Sequence, residues 1–577
     1  MQARNAWWLV MLVVTGLLFC RPTLGSLPVL PGKAAFNKDL AVGFVETGQI
    51  KSFSLSNGFF SWTKDWIGPG SRELYKGEDY YLELSLFLGI PEGPWSPKVL
   101  DPAVGDSVSL GPAVSESASF IDTDGPQGPD WGPWPGSRGR YFSGDLLVGQ
   151  LYPETSPMYQ TLPVMATSTL PETWPLDLYG FRSWPGPWSR DPETGAVRQG
   201  SFVGDQDLFF CFTDRGYASR VFQQAQSYEI GAVVQTAVHA FRDSYAAGVV
   251  FYDLLVMNTS PWEYSDVFLG LYLWVNIYLP TPPFYYRGQC VGYICDEYDP
   301  LRDTTYAYNL AYVHKRAEVI DEMRKSWPGR IVGPLAAKFL DTPLGRDGRK
   351  LGLSGWHWYR FRYGPTNYHD RKDRDLIQYK VLSGDTSGIS PELKQAFFIP
   401  DPSGVLDPHF DSPATVNDRL LDATFATSLI STGPFDWASG DTIHLAFALV
   451  MGDDLEDLKR NARTAQRMYE LGYQRSGPPP APKVFAVPGD RRVTLYWDRR
   501  AEEARDLIFG YQDFEGYRIY RTTVDPAENR WGQEIRDAHG QVVGFVPVAQ
   551  FDLKDGYCGL DPEYPHLDLG SETGLVH

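Results

Sequence analysis

The pattern of apolar and polar positions along the chain predicts strands far more often than helices. Residues 232–241 (AVVQTAVHAF) are β-branched and partly alternating, and 247–257 (AGVVFYDLLVM) follow a short turn, which predicts a hairpin. Residues 266–276 and 442–450 (TIHLAFALV) predict two more strands. Near-continuous apolar runs such as 247–257 suit strands covered on both faces, as in the middle of a sandwich. The strongest helical period runs from Asp453 to Tyr473, where Leu455, Leu458, Ala462, Ala465, Met468 and Leu471 recur at spacings of three and four. Its acidic start (Asp453, Asp454, Glu456, Asp457) and the following Lys459, Arg460, Arg463 and Arg467 complement the helix dipole. A short helix is expected over 318–325, stopped by Trp327-Pro328-Gly329. The stretch 91–192, dense in Pro, Gly and Trp, reads as long ordered loops. The expected fold class is therefore mainly β: a large β-sandwich-type N-terminal region with long loops and one helix, followed by a smaller module.

The boundary falls at 476–482 (SGPPPAP), a polyproline-type linker. Beyond it come a strand at 483–487, the turn Pro488-Gly489-Asp490, and Val493, Leu495 and Trp497 alternating inward on the next strand. Tyr517 to Arg521 and Val542 to Phe551 follow. This order resembles a fibronectin type III domain, with Trp497 as the core tryptophan of its second strand. Such a sandwich has seven strands, and about five are readable before His577. The expectation is an incomplete, marginally folded module, with 569–577 reading as the approach to a final hairpin in a truncated product.

At the other end, residues 1–25 read as an export signal. Arg4 is followed by an apolar run over 6–19, and Thr23-Leu24-Gly25 places cleavage before Ser26. That run is shorter than the roughly 20 residues a membrane span needs. Cys20 raises a lipoprotein alternative, but Phe19 puts a ring where lipidation wants a small residue. The expected organisation is a signal peptide at 1–25, an exported β-rich domain at 26–475, the linker at 476–482 and the fibronectin-like module at 483–577. Extracellular or cell-surface placement follows, with outer-membrane association or the periplasm as alternatives and no membrane span in the mature chain.

Composition narrows the partners. The net charge of -19 argues against nucleic acid, because no basic excess exists to displace counterions from phosphate. A hydrophobic content of 43% with 21% charged residues excludes wholesale disorder. Aromatics reach 14%, including 18 Trp and 33 Tyr, which suits either core filling or stacking on sugar rings and partners.

Candidate chemistry is sparse. No GxSxG, HExxH, P-loop GK[ST] or GxGxxG motif occurs, so no enzyme is expected. With 71 acidic residues, paired carboxylates arise by chance, and no glycosidase pair stands out. His444, in an apolar strand, reads as a packed core histidine. His357, between Trp356 and Trp358, is the better functional candidate, with packing still the simpler account. Asp122, Asp124 and Asp130 resemble part of a calcium loop but lack its third ligand spacing and terminal Glu. Cys295-Asp296-Glu297-Tyr298-Asp299 with Asp303 is a second acidic loop, and a solvated turn is the ordinary reading of both. No cofactor other than calcium is expected. Trp184 and Trp188, flanked by Pro and Gly, are the candidates for stacking on a glycan or partner. If Gly292-Tyr293 forms a two-residue turn, Cys290 and Cys295 face each other across a non-hydrogen-bonded pair. An oxidising compartment then permits a disulfide; two thiols in a loop is the other reading.

Taken together, several segments resemble those of a large group of exported bacterial β-rich surface proteins with a C-terminal fibronectin type III-like domain. They are Gly48-Gln49-Ile50 with Ser56-Asn57-Gly58, Trp174-Pro175, Gly204-Asp205-Gln206-Asp207, Val332-Gly333 with Phe339-Leu340-Asp341-Thr342-Pro343, and Ser431-Thr432-Gly433-Pro434-Phe435 with Gly440-Asp441. The resemblance implies location and architecture and brings no catalytic residues; longer members often end in a sorting domain, and none is visible in this chain. The expected function is a non-catalytic secreted or cell-surface protein mediating adhesion, matrix or surface-layer assembly, with other surface proteins or an extracellular glycan as partners. The alternative is a carbohydrate-binding protein or carbohydrate-active enzyme with an aromatic-lined cleft. Two carboxyl groups facing across such a cleft at roughly 5–10 Å mark the enzyme.

Overall fold

The computed structural model describes most of the chain from Leu40 to Leu575. Outside it lie 1–39, 63–72, 101–104, 117–130, 134–145, 153–159, 191–196, 216–228, 278–288, 361–373, 389–408, 414–425, 522–533, 537–541, 560–573 and several shorter stretches. The chain is mainly β, as its sequence pattern predicts. Two large antiparallel sheets dominate the described residues. The first, of nine strands, runs Val42–Val45, Ile50–Leu55, Phe59–Trp62, Glu78–Ile90, Tyr264–Ile277, Ala426–Trp437, Gly355–Arg360, with Glu73–Tyr75 and Ala113–Ser115 beside this path. The second, of ten, runs Ala166–Thr167, Gln206–Thr213, Ala232–Ala240, Val249–Asn258, Thr442–Met451, Leu335–Asp341, Thr304–Lys315, Gln289–Asp299, His409–Pro413, with Gly132–Pro133 at its side.

The predicted hairpin forms, with Ala232 opposite Asn258 and Ala240 opposite Val250. Thr442–Met451 then pairs on the free side of Val249–Asn258. The next predicted strand, Tyr264–Ile277, belongs to the opposite sheet, where it lies between Glu78–Ile90 and Ala426–Trp437.

Aromatic side chains fill the space between the sheets. Phe60 of the first sheet packs edge-on against Phe447 at 5.0 Å and Phe212 at 6.1 Å in the second, and Tyr252 stacks on Phe447 at 4.7 Å. Trp356 stacks on Tyr293 at 5.2 Å, and Trp131 donates its indole N–H to the Leu86 carbonyl at 3.0 Å. Much of the aromatic excess is thus core, and the buried indole donor has the partner it needs.

Across the outer face of the second sheet lies the helix Leu455–Glu470, with the short Ala317–Ser326 helix elsewhere as predicted. Asp454 caps the long helix by accepting from the Asp457 backbone N–H at 2.9 Å. Leu458, Ala462, Ala465 and Met468 press onto a floor that includes Ala446, Ala448 and Phe251; the alanines let the helix approach closely. Its entry is tight: a Cβ on Gly333 would stand 1.6 Å from the Gly452 carbonyl oxygen.

Among the described C-terminal residues there are three two-stranded ribbons: Val484–Gly489 with Arg492–Trp497, Gly516–Ile519 with Ala549–Asp552, and Glu534–Arg536 with Val542–Phe545. The expected inward alternation is realised at Trp497 alone, which packs on Tyr517 at 5.3 Å and Phe551 at 6.1 Å; Val493 is 62% exposed. The boundary near 476 is also bridged. The Ser476 backbone N–H donates to the Tyr245 hydroxyl at 3.0 Å and its hydroxyl to Asp506 at 2.6 Å, while Ile508 joins the packing beneath the long helix.

Phe447→Ala removes a ring shared by both sheets and leaves a void that rigid strands cannot close. The expected loss is about 3–5 kcal/mol in chemical denaturation; a loss below about 1 kcal/mol contradicts the sheet-to-sheet packing described.

Candidate functional site

The sequence candidates fare unevenly. Trp184 is 4% exposed and buried against Trp174 and Phe202, with ring centroids 5.9 and 5.6 Å away, so its faces serve packing and do not meet a ligand. Trp188, Asp122, Asp124 and Asp130 lie outside the described residues. The turn expected at Gly292-Tyr293 does not form. Gln289–Asp299 is a single strand paired with Thr304–Lys315 and His409–Pro413, so the acidic run ending at Asp299 is strand and not loop. Cys290 and Cys295 are five residues apart along it, roughly 16 Å at strand rise, and a disulfide spans at most about 7 Å between Cα atoms. They cannot be bridged to each other. His357 is 1% exposed, and burial pushes it down to about 4, so it is neutral and inaccessible. Among the described residues, no group of three or more His, Cys, Asp and Glu is arranged to hold a metal ion.

Among the described residues, the densest titratable constellation lies elsewhere, under the end of the long helix. It runs across five neighbouring strands of the second sheet: Asp207, His239, Asp253, His444 and Asp341 each come from a different one. The cross-strand registers place all five on the helix-covered face. Asp207 Oδ1 meets His239 Nδ1 at 2.8 Å, and His239 Nε2 stands 3.4 Å from Asp253 Oδ2. Asp253 Oδ1 is 3.3 Å from His444 Nε2, and His444 Nδ1 is 3.0 Å from Asp341 Oδ2. Lys350 closes the row at 2.6 Å from Asp341 Oδ1. Two tyrosines reach down from the helix end: Tyr473 donates to Asp253 at 2.6 Å and Tyr469 to Asp341 at 3.0 Å. At the buried end, Asp207 also accepts the backbone N–H groups of Val203 and Gly204 at 2.7 and 2.8 Å.

Anion and cation alternate along this row, and its electrostatics follow from that order. Burial opposes the charge on His239, but Asp207 and Asp253 outweigh it and push the ring up to about 9. The same contest at His444, between burial and the carboxylates of Asp253 and Asp341, also ends at about 9. Burial alone would raise Asp253; the facing His239 and His444 rings and the hydrogen bond from Tyr473 hold it well below the usual carboxylate range. Asp341 is brought down to about 2, with His444 and Lys350 overcoming burial. Burial and Asp253 lift the Tyr473 hydroxyl far above its ordinary value, so it remains a donor.

This arrangement is a tie, and its chemistry is limited accordingly. A histidine that acts as a general base needs one nitrogen facing the substrate. Here both ring nitrogens of both histidines face carboxylates, and the row is electrostatically closed from Asp207 to Lys350.

A second feature has ligand-site character. Where Val42–Val45 runs alongside residues 162–170, a cleft of about 230 Å³ opens between Phe44, Glu46, Leu151, Tyr152, Val164, Thr167, Thr169, Leu170 and Gln206. Its walls are fixed by backbone bonds from Val42 to Pro163 and from Met165 to Val42, at 2.9 and 2.8 Å. Gln206 pins the rim by accepting from Glu46 and Thr47 at 2.7 and 3.1 Å and donating to Phe44 at 2.8 Å. Tyr152 lies over Phe44 with centroids 4.0 Å apart and donates to Glu46 Oε2 at 2.8 Å. Gly43 permits the close approach of strand to wall, since a Cβ there would meet Met165 Sδ at 2.4 Å.

Asp253→Asn removes the anion shared by two imidazolium rings and is expected to cost about 3–5 kcal/mol at pH 7 in chemical denaturation. Because both histidines are raised from 6.5 to about 9 on folding, their contribution is fully present below pH 6.5 and is lost as pH rises through 9. The variant's alkaline limb therefore moves to lower pH; an alkaline limb and stability matching the native chain contradict the tie. Comparison with models of known protein families and with curated proteins finds no match for the chain.

Proposed function

We propose that the chain is a non-catalytic exported protein that mediates adhesion or surface assembly, with the two-sheet sandwich as its rigid platform. The observation that carries this reading is the apolar ribbon Val484–Gly489/Arg492–Trp497. Val484, Phe485, Val487, Val493 and Tyr496 are each more than half exposed, at 56%, 62%, 52%, 62% and 60%. The register puts Phe485, Val487 and Tyr496 on one face of the ribbon and Val484 and Val493 on the other, and exposed apolar surface of this kind on a folded chain marks a contact site for another macromolecule. The closed row of charges supports the non-catalytic half of the reading, since its histidines offer substrate no nitrogen.

The cleft beside Phe44 favours a second reading, carbohydrate binding without hydrolysis. Glycosidases generally set two carboxyl groups across the scissile bond, and among the described residues lining the cleft Glu46 is the one that is acidic.

The test is adhesion of the purified chain to envelope fragments and matrix polymers. Phe485→Ser with Val493→Ser and Tyr496→Ser is expected to lower retention about tenfold while the melting temperature holds within a few degrees. Retained polymer should be recovered at unchanged length. Full retention by the triple variant, or shortening of the polymer, overturns the reading.

A further inference from the structure

We propose that the cleft between Phe44, Tyr152 and Leu170 binds a single sugar ring, as one residue of an extracellular glycan; this rests on the carbohydrate-binding reading. Three properties of the cleft converge on that ligand. The first is size. At about 230 Å³ it falls below the roughly 300–1,000 Å³ of sites for drug-sized molecules, which leaves room for one ring and not for an oligomer.

The second is the distribution of chemistry. Leu151, Val164 and Leu170 supply apolar wall, and Tyr152 supplies an aromatic one. The C–H face of a pyranose packs on such surface, while its hydroxyls need polar partners at the edges. Glu46 and Thr169 line the same cleft and provide a carboxylate and a hydroxyl, while the buried Thr167 hydroxyl is turned back to donate to the Met165 carbonyl at 3.0 Å. The Tyr152 hydroxyl donates to one Glu46 oxygen, which fixes the carboxylate and leaves its other oxygen to accept from a ligand hydroxyl.

The third is preorganisation. The Tyr152 ring is braced by Phe44 at 4.0 Å, and the chain on either side of Glu46 is fastened by Gln206. Little ordering is then left for binding to supply, which matters for a ligand with few contacts. An organic cation would also meet Glu46, but cation recognition relies on aromatic faces turned toward the charge. Here Phe44 covers one face of Tyr152, so a single aromatic face is left, enough for one sugar face and short of the cage of several rings that such a cation favours.

Saturation-transfer NMR on the full chain tests the proposal. The probes are the methyl glycosides of glucose, galactose, mannose and N-acetylglucosamine, with tetramethylammonium as the competing chemistry. At least one glycoside is expected to receive saturation on its ring protons. Tyr152→Ala should weaken its binding about tenfold or more, and Glu46→Gln by a similar factor. Tyr152→Phe keeps the ring and loses only the hydroxyl bond to Glu46, so it should bind better than Tyr152→Ala; with Glu46→Gln it decides the case if Tyr152→Ala fails to fold. The proposal is overturned if no glycoside receives saturation at millimolar concentration. It is equally overturned if Glu46→Gln and Tyr152→Phe leave affinity unchanged, or if tetramethylammonium displaces the glycoside. Adhesion measured on the same samples separates the two claims: adhesion without glycoside binding removes the cleft proposal and leaves the apolar ribbon as the contact surface.

Discussion

Asp253 stands between two imidazolium rings, and five strands and a helix are arranged around that carboxylate. Burying ions is costly unless each finds opposite charge and a hydrogen bond, and removal of one member leaves its neighbours stranded. In this row each interior ion has partners on both sides, and the tyrosine hydroxyls occupy carboxylate oxygens as well. The row also constrains register. Shifting any one strand by a residue would turn its ion away from the helix and into the aromatic layer between the sheets. Apolar packing makes the two sheets adhere, and the ions admit a single alignment of the central strands in the second one.

From the same row the structure extends to the C-terminal ribbons. Tyr469 and Tyr473 anchor the helix end, and the chain that follows is held at once. Arg475 pairs with Asp205 at 3.0 Å and Asp243 at 3.3 Å and lies over the Phe241 ring. Ser476 then bonds to Asp506, whose carboxylate also accepts from the Ile508 and Phe509 backbone at 2.7 Å. Residues 506–509, beyond the proline-rich stretch, are thereby fastened to the sandwich. This suits the contact role proposed for the chain, because an ordered platform reduces the entropy lost on binding.

How much of this the sequence discloses depends on whether a feature is local. The long helix, its Asp454 cap and the hairpin of residues 232–258 rest on periodicity and neighbouring residues, and they form as read. The ion row left a trace of its own: His239, Asp253 and His444 are isolated charges in apolar runs, and Asp207 and Asp341 sit in segments with recognisable motifs. Their pairing is not local. It requires Thr442–Met451 to insert between Val249–Asn258 and Leu335–Asp341, a neighbourhood made by strands far apart in the chain. His444 read alone is a packed histidine; read with its neighbours it is a cation held by two carboxylates. Gly292-Tyr293 misleads for the opposite reason. Its local sequence suits a tight turn, but pairing with strands on both sides keeps Gln289–Asp299 extended. Trp184 misleads likewise, because proline and glycine nearby suggest exposure while Trp174 and Phe202 enclose it. The cleft was not legible, since its rim brings together residues 44–46, 151–170 and 206.

His239 and His444 are on this reading cations at neutral pH, each with a carboxylate facing both of its ring nitrogens. Histidine ring ¹⁵N and ¹³C NMR on the full chain, titrated from pH 6 to 10, tests it directly. Both rings are expected to be doubly protonated at pH 7 and to lose a proton only near pH 9. A ring that is neutral at pH 7, with one nitrogen unprotonated, would contradict the tie and reopen His444 as an acid–base group.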